Sequence, residues 1–442
     1  MQWWVVTVIA PPRLQARTVE VADLVGAEVS LLDLVPADVD PVTVCAWLRE
    51  GDGLVAWGRV AAQLTHGVGR FESAQRWWSE VADRAEVVDE VSAPGTGLLA
   101  FGSFAFSAAS TEASRLVVPE VVMGRRDGRT WMTTIVEVGA PAPDPGPPRA
   151  QSVPGAWPIT EIAGSVSSAD WPRVIASAVE RIESGDLDKV VLARDVVAES
   201  TGPIDVHRVL RRLAARYAAT WTFAVDGLVG ATPEMLVRLV EGTVRSRVLA
   251  GTVRRDRGPT PLVTETHPDL DTSHRGDPRL RLISSDKDLE EHAYAVRSVA
   301  EALARHCREL EVPAEPFVLE LPDVYHLASD LTGVAVDGAT ALRLAAVLHP
   351  SAAVCGTPAQ AAADVIAELE GMDRGRYAGP VGWVDATGEG DWGIALRCGK
   401  LCEDGRRMRL FAGGGIVAAS DPDAELAETE VKLAAMRYAL DC

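Results

Sequence analysis

The stretch "LFAGGGIVAASDPDAELAETEVKLAAM" (residues 410–436) joins a short apolar strand to a helix through three consecutive glycines. Asp421 and Pro422 mark the start of the helix, because an acidic N-cap accepts orphan amide hydrogens and proline at the first position loses no hydrogen bond. Gly413–Gly415 leave the backbone bare, so an anion can closely approach its N–H groups. The stretch therefore predicts a strand, a ligand-facing turn and a helix in succession.

One face of the predicted helix carries charge. At about 100° per residue, Glu425, Glu428 and Lys432 fall within a sector of about 60°. The apolar stripe beside them consists of Leu426, Leu433, Met436 and Leu440. One interpretation is a solvated face whose i,i+4 ion pair, Glu428 with Lys432, contributes only about 0.3 to 0.5 kcal/mol. The glycines upstream favour instead a site for a small carboxylate, and the missing GK[ST] ending argues against a nucleotide.

The overall charge restricts the kind of ligand. The chain has 442 residues and a formal net charge of -20, which argues against binding nucleic acid or an anionic membrane surface. The first residues lack the basic start of a secretory signal, and no apolar run approaches the ~20 residues that span a bilayer. The six cysteines are scattered without a CxxC pair, as reduced thiols are. We therefore expect a cytoplasmic protein whose site supplies its own positive charge.

A proline- and glycine-rich segment at residues 139–158 separates two sequence patterns. Residues 1–138 alternate short apolar runs with turn residues, which is typical of strands and hairpins. Residues 159–442 interleave strand-like runs with amphipathic helices, such as "KDLEEHAYAVRSVAEALARH" (287–306). Residues 254–284 are polar and turn-rich, which predicts a long loop.

The start of this second helix carries an acidic cluster, Glu290, Glu291 and His292. Carboxylates suit a hard divalent cation, and Mg²⁺ usually takes only one or two of them from a protein. By itself, such a cluster is more typical of a helix surface. Two acidic helix faces in one chain nevertheless make a shared cation site a hypothesis.

Several separated motifs, taken together, resemble those of the chorismate-utilising enzymes. That family includes isochorismate synthase, salicylate synthase, anthranilate synthase component I and aminodeoxychorismate synthase. The resemblance extends from about residue 160 to the C-terminus. It rests on the motifs KVVLAR (189–194), GATPEML (230–236), LAGTVRR (249–255), SSDKDLEEH (284–292), VYHLASDLTG (324–333), LHPSAAVCGTP (348–358), RYAGPVGW (376–383), IALRCGKL (394–401) and FAGGGIVAASDPDAELAETEVKL (411–433).

The resemblance implies an α/β fold of the α+β type, like that of anthranilate synthase component I. Two antiparallel-rich sheets would pack face to face with helices outside. Residues 1–138 would belong to the same body, residues 139–158 would connect, and residues 159–442 would form the chorismate-binding catalytic region.

The resemblance also implies a set of site residues. Mg²⁺ would be bound by Glu291 and Glu428, with Glu425 acting nearby through water, and the metal would hold the ring carboxylate of chorismate. The residues implied in substrate binding are Gly251, Thr252, His326, Ala353, Tyr377, Arg397, Gly413, Gly414, Gly415 and Lys432. Without the motif, a lone histidine such as His326 is more often a core residue satisfied by the backbone.

Three positions separate the members of the family, and a fourth, Glu234, matches an acid that the family shares. Ammonia-using relatives carry glutamine where this chain has Lys189, and water-using members carry lysine, because water needs a general base. Glu234 stands where the family has the acid that protonates the departing 4-hydroxyl. Ala250 replaces the nucleophilic lysine of aminodeoxychorismate synthases, and Ala353 replaces the threonine of lyase-type members. Without the other motifs, Lys189 is a strand-end lysine in a salt bridge and Glu234 a turn residue.

With these residues, the resemblance implies a Mg²⁺-dependent isomerase that reversibly converts chorismate to isochorismate, adding water at C2 with loss of the C4 hydroxyl. The product would serve menaquinone or siderophore biosynthesis. Salicylate synthase, which goes on to release pyruvate, is the alternative. A non-catalytic chorismate-binding homologue is less expected, since base, acid and metal ligands are all present. Because water is the nucleophile, we expect no amidotransferase subunit, and we expect a monomer.

Overall fold

A computed structural model of the chain describes residues 11–21, 29–143, 157–255, 277–336 and 338–442. Most of the predicted connector and most of the polar segment at 254–284 lie outside the described residues. The described end of that polar segment contains a short helix, Pro278–Ile283, in place of the predicted loop. Asp277 caps this helix by accepting the amide of Arg279, and proline occupies its first position.

The strands occur in two series, before and after the predicted connector. The first series is β1 (Leu14–Glu20), β2 (Cys45–Arg49), β3 (Asp52–Trp57), β4 (Ala61–Thr65), β5 (Glu86–Asp89), β6 (Leu99–Ser103), β7 (Ser114–Val118), β8 (Val121–Arg126) and β9 (Arg129–Glu137). The second series is β10 (Ile159–Ala163), β11 (Lys189–Ser200), β12 (Trp221–Val225), β13 (Leu228–Thr232), β14 (Met235–Val240), β15 (Thr243–Arg254), β16 (Cys307–Glu311), β17 (Phe317–Glu320), β18 (Val324–Ala335), β19 (Gly356–Thr357), β20 (Pro380–Asp385), β21 (Gly390–Ile394), β22 (Cys398–Leu401) and β23 (Arg407–Ile416).

Most of the helices follow the connector. The helices are α1 (Arg70–Asp83), α2 (Trp171–Glu183), α3 (Val206–Arg216), α4 (Pro278–Ile283), α5 (Asp286–Leu303), α6 (Ala341–Leu348), α7 (Ala359–Leu369) and α8 (Pro422–Leu440). The helix predicted at 287–306 is α5, which Ser285 caps. The predicted start of α8 is confirmed, because its N-cap Asp421 accepts the amide of Ala424 at 2.8 Å.

The strands form two sheets. The larger has the order β10-β11-β23-β22-β13-β12-β2-β3-β8-β9-β1-β5, with β19 also paired to β11. The smaller has the order β16-β18-β15-β14-β21-β20-β6-β7-β4, with β17 also paired to β18. Within the described part of the chain, neighbouring strands are antiparallel except β1 and β5. The prediction of two antiparallel-rich sheets is confirmed.

Strands from both series build each sheet. In the larger sheet β2 pairs with β12, and in the smaller β6 pairs with β20. The sheets contact each other through buried aromatic residues: the indole N–H of Trp47 on β2 donates to Asp391 on β21 at 3.2 Å. Phe223 and Trp392 are fully buried in this inter-sheet core. Among the described helices, none is long and apolar enough to cross a membrane.

Candidate active site

A cavity lies beside the last residues of β23, with about 730 Å³ of empty space including its mouth. The predicted site residues that line it are Glu234, Gly251, Thr252, Glu291, His326, Ala353, Tyr377, Arg397, Gly413, Gly414, Gly415, Glu428 and Lys432. The other two, Lys189 and Glu425, lie directly against the glycines. The structure therefore brings together residues that are far apart in the sequence.

The three glycines continue β23 as a strand, in place of the turn that their sequence predicts. A methyl group on Gly415 would lie 2.2 Å from Oε1 of Glu291 and 3.0 Å from Cε of Lys189. A methyl group on Gly414 would lie 3.0 Å from Oε2 of Glu425. A larger residue would displace these charged side chains, so the glycines make room for them and do not form a turn.

The backbone of these glycines faces the cavity in part. β22 pairs only with the first half of β23, so the glycines have no strand partner on that side within the described chain. The carbonyl of Gly413 accepts a hydrogen bond from Nζ of Lys432 at 2.7 Å. Because antiparallel neighbours alternate between bonded and non-bonded pairs, Gly413 and Gly415 direct their amides toward the cavity. Gly414 instead faces Leu192 of β11.

Lys189 is the first residue of β11, and its side chain is fully buried. Its Nζ lies 3.2 Å from Oε1 of Glu291, in the first turns of α5. This ion pair offsets part of the desolvation penalty of a buried ammonium group, which is roughly several kcal/mol. Lys189 is thus in a salt bridge, but its partner is the carboxylate predicted to bind metal, so the salt bridge lies within the site.

The ion pair predicted on α8 also forms. Oε1 of Glu428 lies 2.5 Å from Nζ of Lys432, and the side chains are 28% and 14% exposed. The pair therefore borders the cavity and is not on a solvated face. Glu425 is buried and accepts a hydrogen bond from the hydroxyl of Ser420 at 2.8 Å. We call the glycines, with the pairs Glu291–Lys189 and Glu428–Lys432, the glycine wall.

The carboxylates of the glycine wall are a donor set that suits a hard divalent cation. Glu291 of α5 and Glu428 of α8 both line the cavity, and Glu425 reaches the same glycine as Glu428. Mg²⁺ completes its shell with water and ligand oxygens when the protein supplies one or two carboxylates. In the part of the chain that the structure describes, no three carboxylate, imidazole or thiol groups form a metal-binding cluster. The fit is therefore to two carboxylates and not to a closed protein cage.

Glu234 lies where the chain crosses between the sheets. β13 of the larger sheet ends at Thr232, and β14 of the smaller sheet begins at Met235. Burial raises the pKa of the Glu234 carboxyl to about 8, and the nearby positive charge of Lys189 only partly opposes this shift. Glu234 is therefore protonated at neutral pH and is able to donate a proton.

His326 connects two other predicted residues. Its Nδ1 lies 3.0 Å from Oγ1 of Thr252, and its Nε2 lies 3.2 Å from Nη2 of Arg397. A guanidinium group only donates, so Nε2 carries the lone pair and Nδ1 the proton. Burial, together with the charges of Arg397 and Lys432, lowers the pKa of His326 well below its usual value. The ring is therefore neutral and orients Arg397.

Arg397 is held in an unusual backbone conformation, with φ of 49°. The left-handed region is unfavourable for a residue with a Cβ, by roughly 1 to 2 kcal/mol. Burial also lowers the pKa of the guanidinium, although arginine stays charged in proteins. A strained, buried cation in a cavity is typical of a functional site.

The remaining predicted residues shape the cavity. The ring of Tyr377 stacks on Phe411 with centroids 4.8 Å apart. Gly251 has φ of 77°, and a methyl group there would lie 3.1 Å from Cβ of Asp288 on α5.

The sequence motifs do not single out Arg374, which also lines the cavity and is buried with Glu370. Their i,i+4 spacing alone resembles a surface pair, and the only signal is proximity to the RYAGPVGW motif.

The fold and the cavity together define a class of protein. Two packed antiparallel sheets hold a small cavity lined by cations, bare backbone amides and a protonated carboxyl, which suits an enzyme acting on a small anion. The chain matches the family model described as chorismate binding enzyme over residues 149–441. It belongs to the chorismate binding enzyme family.

Similar proteins include isochorismate synthase DhbC of Bacillus subtilis (strain 168), 38% identical over 283 residues that cover 61% of this chain and 67% of that protein. The solved structure of MenF, the menaquinone-specific isochorismate synthase of Escherichia coli, matches with a TM-score of 0.75 at 23% identity. The match covers 98% of this chain and 95% of the MenF chain. Anthranilate synthase component I of Streptococcus pneumoniae TIGR4 has a TM-score of 0.65 at 20% identity, covering 87% and 91%. These likenesses confirm the predicted fold.

Proposed function

We propose that this chain is a Mg²⁺-dependent isochorismate synthase, which reversibly converts chorismate to isochorismate. One observation carries the proposal: a buried lysine amine, Lys189, and a carboxyl protonated at neutral pH, Glu234, are close enough for the charge of one to influence the pKa of the other. Water addition with loss of a hydroxyl needs both a base and an acid. The names of the similar proteins support the same reaction.

Substrate binding would use the cations of the cavity. Chorismate is a dianion, and Arg397 and Lys432 would each contact one of its carboxylates, with the amides of Gly413 and Gly415 as further donors. Charge-assisted hydrogen bonds of this kind are roughly twice as strong as neutral ones. The glycine wall thus offsets the desolvation of an anion in an acidic protein.

The Mg²⁺ ion would be held by Glu291 and Glu428, with Glu425 acting through water. When bound, it supplies positive charge for a carboxylate of the ligand. Both carboxylates have lysine partners in the structure, at 3.2 and 2.5 Å, so a bound Mg²⁺ would replace a lysine as the partner of each one.

The proton transfers would be made by side chains of the chain itself. Lys189, in its uncharged form, takes a proton from water, and the hydroxide oxygen bonds to C2 of chorismate. The ring double bonds shift, the C4–O bond breaks, and Glu234 gives its proton so that the hydroxyl leaves as water. The roles of the two side chains exchange in the reverse direction. Positioning of base, water and acid in one cavity would supply most of the rate enhancement.

The reaction is proposed to stop at isochorismate. Ala353 lines the cavity and lacks the hydroxyl of lyase-type relatives. Because the nucleophile is water, we propose that no ammonia-supplying subunit is needed. We also propose that the protein is a monomer in the cytoplasm.

The test is product identification. Purified protein, chorismate and MgCl₂ are incubated, and the products are resolved by chromatography and mass. Isochorismate without pyruvate supports the proposal. Salicylate and pyruvate in equal amounts would identify a salicylate synthase, and unchanged chorismate would identify a binding protein.

Removal of the metal gives a second prediction. Excess EDTA should abolish turnover, and added Mg²⁺ should restore it fully, because the cation would supply positive charge for a carboxylate of chorismate. Turnover that is unaffected by EDTA would contradict the assignment of Glu291 and Glu428.

A further inference from the structure

One edge of β11 is incomplete. The opposite edge pairs with β23. On the incomplete edge, β19 pairs only with Lys189 and Val190, and β10 pairs only from Val196 onward. Residues 191–195 therefore have no strand beside them on this edge within the described chain. A buried strand edge requires partners for its N–H and C=O groups.

Glu370 and Arg374 fill this gap with side chains. Oε1 of Glu370 accepts the amide of Ala193 at 2.7 Å, and Nη2 of Arg374 donates to the carbonyl of Val191 at 2.7 Å. The two side chains bond to each other at 2.9 Å (Nε to Oε2) and 2.5 Å (Nη2 to Oε1). They are 0% and 3% exposed, respectively. The pair thus replaces a missing strand with one acceptor and one donor.

Arg374 also holds a second segment of the cavity lining. Its Nη1 donates to the carbonyl of Val354 at 3.0 Å, next to Ala353. Its guanidinium lies 4.2 Å from the ring centroid of Phe106. A planar guanidinium fork can serve the two carbonyls and the carboxylate together, whereas a lysine ammonium is a single point on a flexible stem.

We propose that Glu370 and Arg374 are a positioning pair that fixes Lys189, together with the cavity lining at Val191 and Ala353, for proton transfer from water. The inference rests on the proposed function. Lys189 is two residues before Val191 on the same strand. The hydrogen bond from Arg374 to the carbonyl of Val191 therefore fixes the position of the Lys189 amine in the cavity. Proton abstraction requires heavy atoms about 2.6 to 3.2 Å apart. A misplacement of about 1 Å can reduce a rate about 10²-fold.

The matched control is Arg376, two residues from Arg374 and equally buried. Its Nε donates to Glu112 at 2.7 Å, and its other nitrogens donate to the carbonyls of Val225 and Asp226 at 3.1 and 2.9 Å. These bonds hold the turn between β12 and β13 and not β11. Arg374→Lys and Arg376→Lys therefore remove equivalent buried forks from different places.

The experiment measures kcat and KM for chorismate, the solvent deuterium isotope effect on kcat, and Tm. For Arg374→Lys we expect kcat to fall about 30-fold, within the range that misplacement produces, with KM within about threefold. The isotope effect should increase, because proton transfer becomes more rate-limiting. For Arg376→Lys we expect a comparable loss of Tm, with kcat within about threefold and an unchanged isotope effect.

Glu370→Gln keeps the test decisive if Arg374→Lys does not fold, because its amide oxygen still accepts from Ala193. It should show the same changes with a smaller fall in kcat, about tenfold. A fall in kcat that matches the folded fraction seen by circular dichroism, or a raised KM with unchanged kcat, would overturn the inference. Wild-type protein that makes no isochorismate would overturn the proposed function instead.

Discussion

Two regions of the cavity hold buried charge in opposite ways. In the glycine wall, Glu291 and Glu428 each have a lysine within ion-pair distance. In the second region, which consists of Glu234, His326 and Arg397 and which we call the desolvated region, burial is the largest influence on each pKa. There the pKa of the carboxyl rises, and the pKa values of the imidazole and the guanidinium fall.

The difference indicates a division of labour. Charges that are paired can exchange partners, so an anionic ligand or a cation can enter the glycine wall without leaving a buried charge alone. A carboxyl that is desolvated and not paired stays protonated at neutral pH and is ready to donate. Proton donation is therefore expected to depend on the desolvated region, and binding on the wall together with Arg397. Lys189 belongs to the wall through its ion pair and yet is proposed to act in proton transfer.

The largest predicted effect comes from Lys189→Ala. Loss of the base should reduce kcat by about 10³-fold or more, since general base catalysis contributes about 10² to 10⁴. The dissociation constant for chorismate, measured by calorimetry, should stay within about threefold, because other cations hold the dianion.

The matched variant is Lys432→Met, which removes the other lysine of the wall. It should weaken chorismate binding by about 10- to 100-fold, the range for a charge-assisted bond, with a much smaller loss of kcat. Wild-type-like turnover in Lys189→Ala, or the same binding loss in both variants, would remove the special role of Lys189.

Glu234→Gln tests the desolvated region. The glutamine is nearly isosteric but cannot give up a proton in this way, so kcat should fall about 10²- to 10³-fold. The wild-type pH profile should also report this residue. The acid must be protonated, and its pKa is raised to about 8, so kcat should fall about tenfold per unit of pH above that value.

The pH profile of the variant completes this test. In Glu234→Gln the decline above pH 8 should disappear while the lower rate remains. A variant profile with the same alkaline decline as the wild type would show that another group titrates there.

A smaller effect is expected from Gly415→Ala, which places a methyl group 2.2 Å from Glu291 and 3.0 Å from Lys189. Both side chains must move, so kcat/KM should fall about 10²-fold. In Gly399→Ala on β22, the atoms nearest to the added methyl group belong to the flexible side chains of Leu410 and Met408, at 2.7 and 2.8 Å. That control should lose stability but keep its activity, and equal losses of activity in the two variants would contradict the steric account of the wall.

Much of the site can be predicted from the sequence, because the residue types within each motif indicate their chemical roles. The N-cap of α8, the strand that starts at Lys189 and the acidic start of α5 are local features. Their meeting in one cavity followed from the family resemblance, since periodicity and spacing do not say which distant elements touch. The glycines show the limit of local rules: their composition predicts a turn, while the close approach of Glu291 and Glu425 explains them as strand residues.

Glu370 and Arg374 could not be found in this way. An i,i+4 glutamate and arginine on a helix end are usually a surface pair. Their role depends on the unpaired edge of β11, which exists only because β10 and β19 stop short of each other. Strand lengths and pairings of this kind are properties of the assembled sheet.

The most direct test of the account is the source of the oxygen at C2. Chorismate is converted by the Mg²⁺-loaded protein in H₂¹⁸O. Isochorismate is isolated at low conversion, and its ¹⁸O content is measured by mass spectrometry. Addition of water activated by Lys189, with departure of the C4 hydroxyl, predicts one ¹⁸O atom in the product. Isochorismate that retains only ¹⁶O would contradict the account, because the original hydroxyl would then have moved within the substrate.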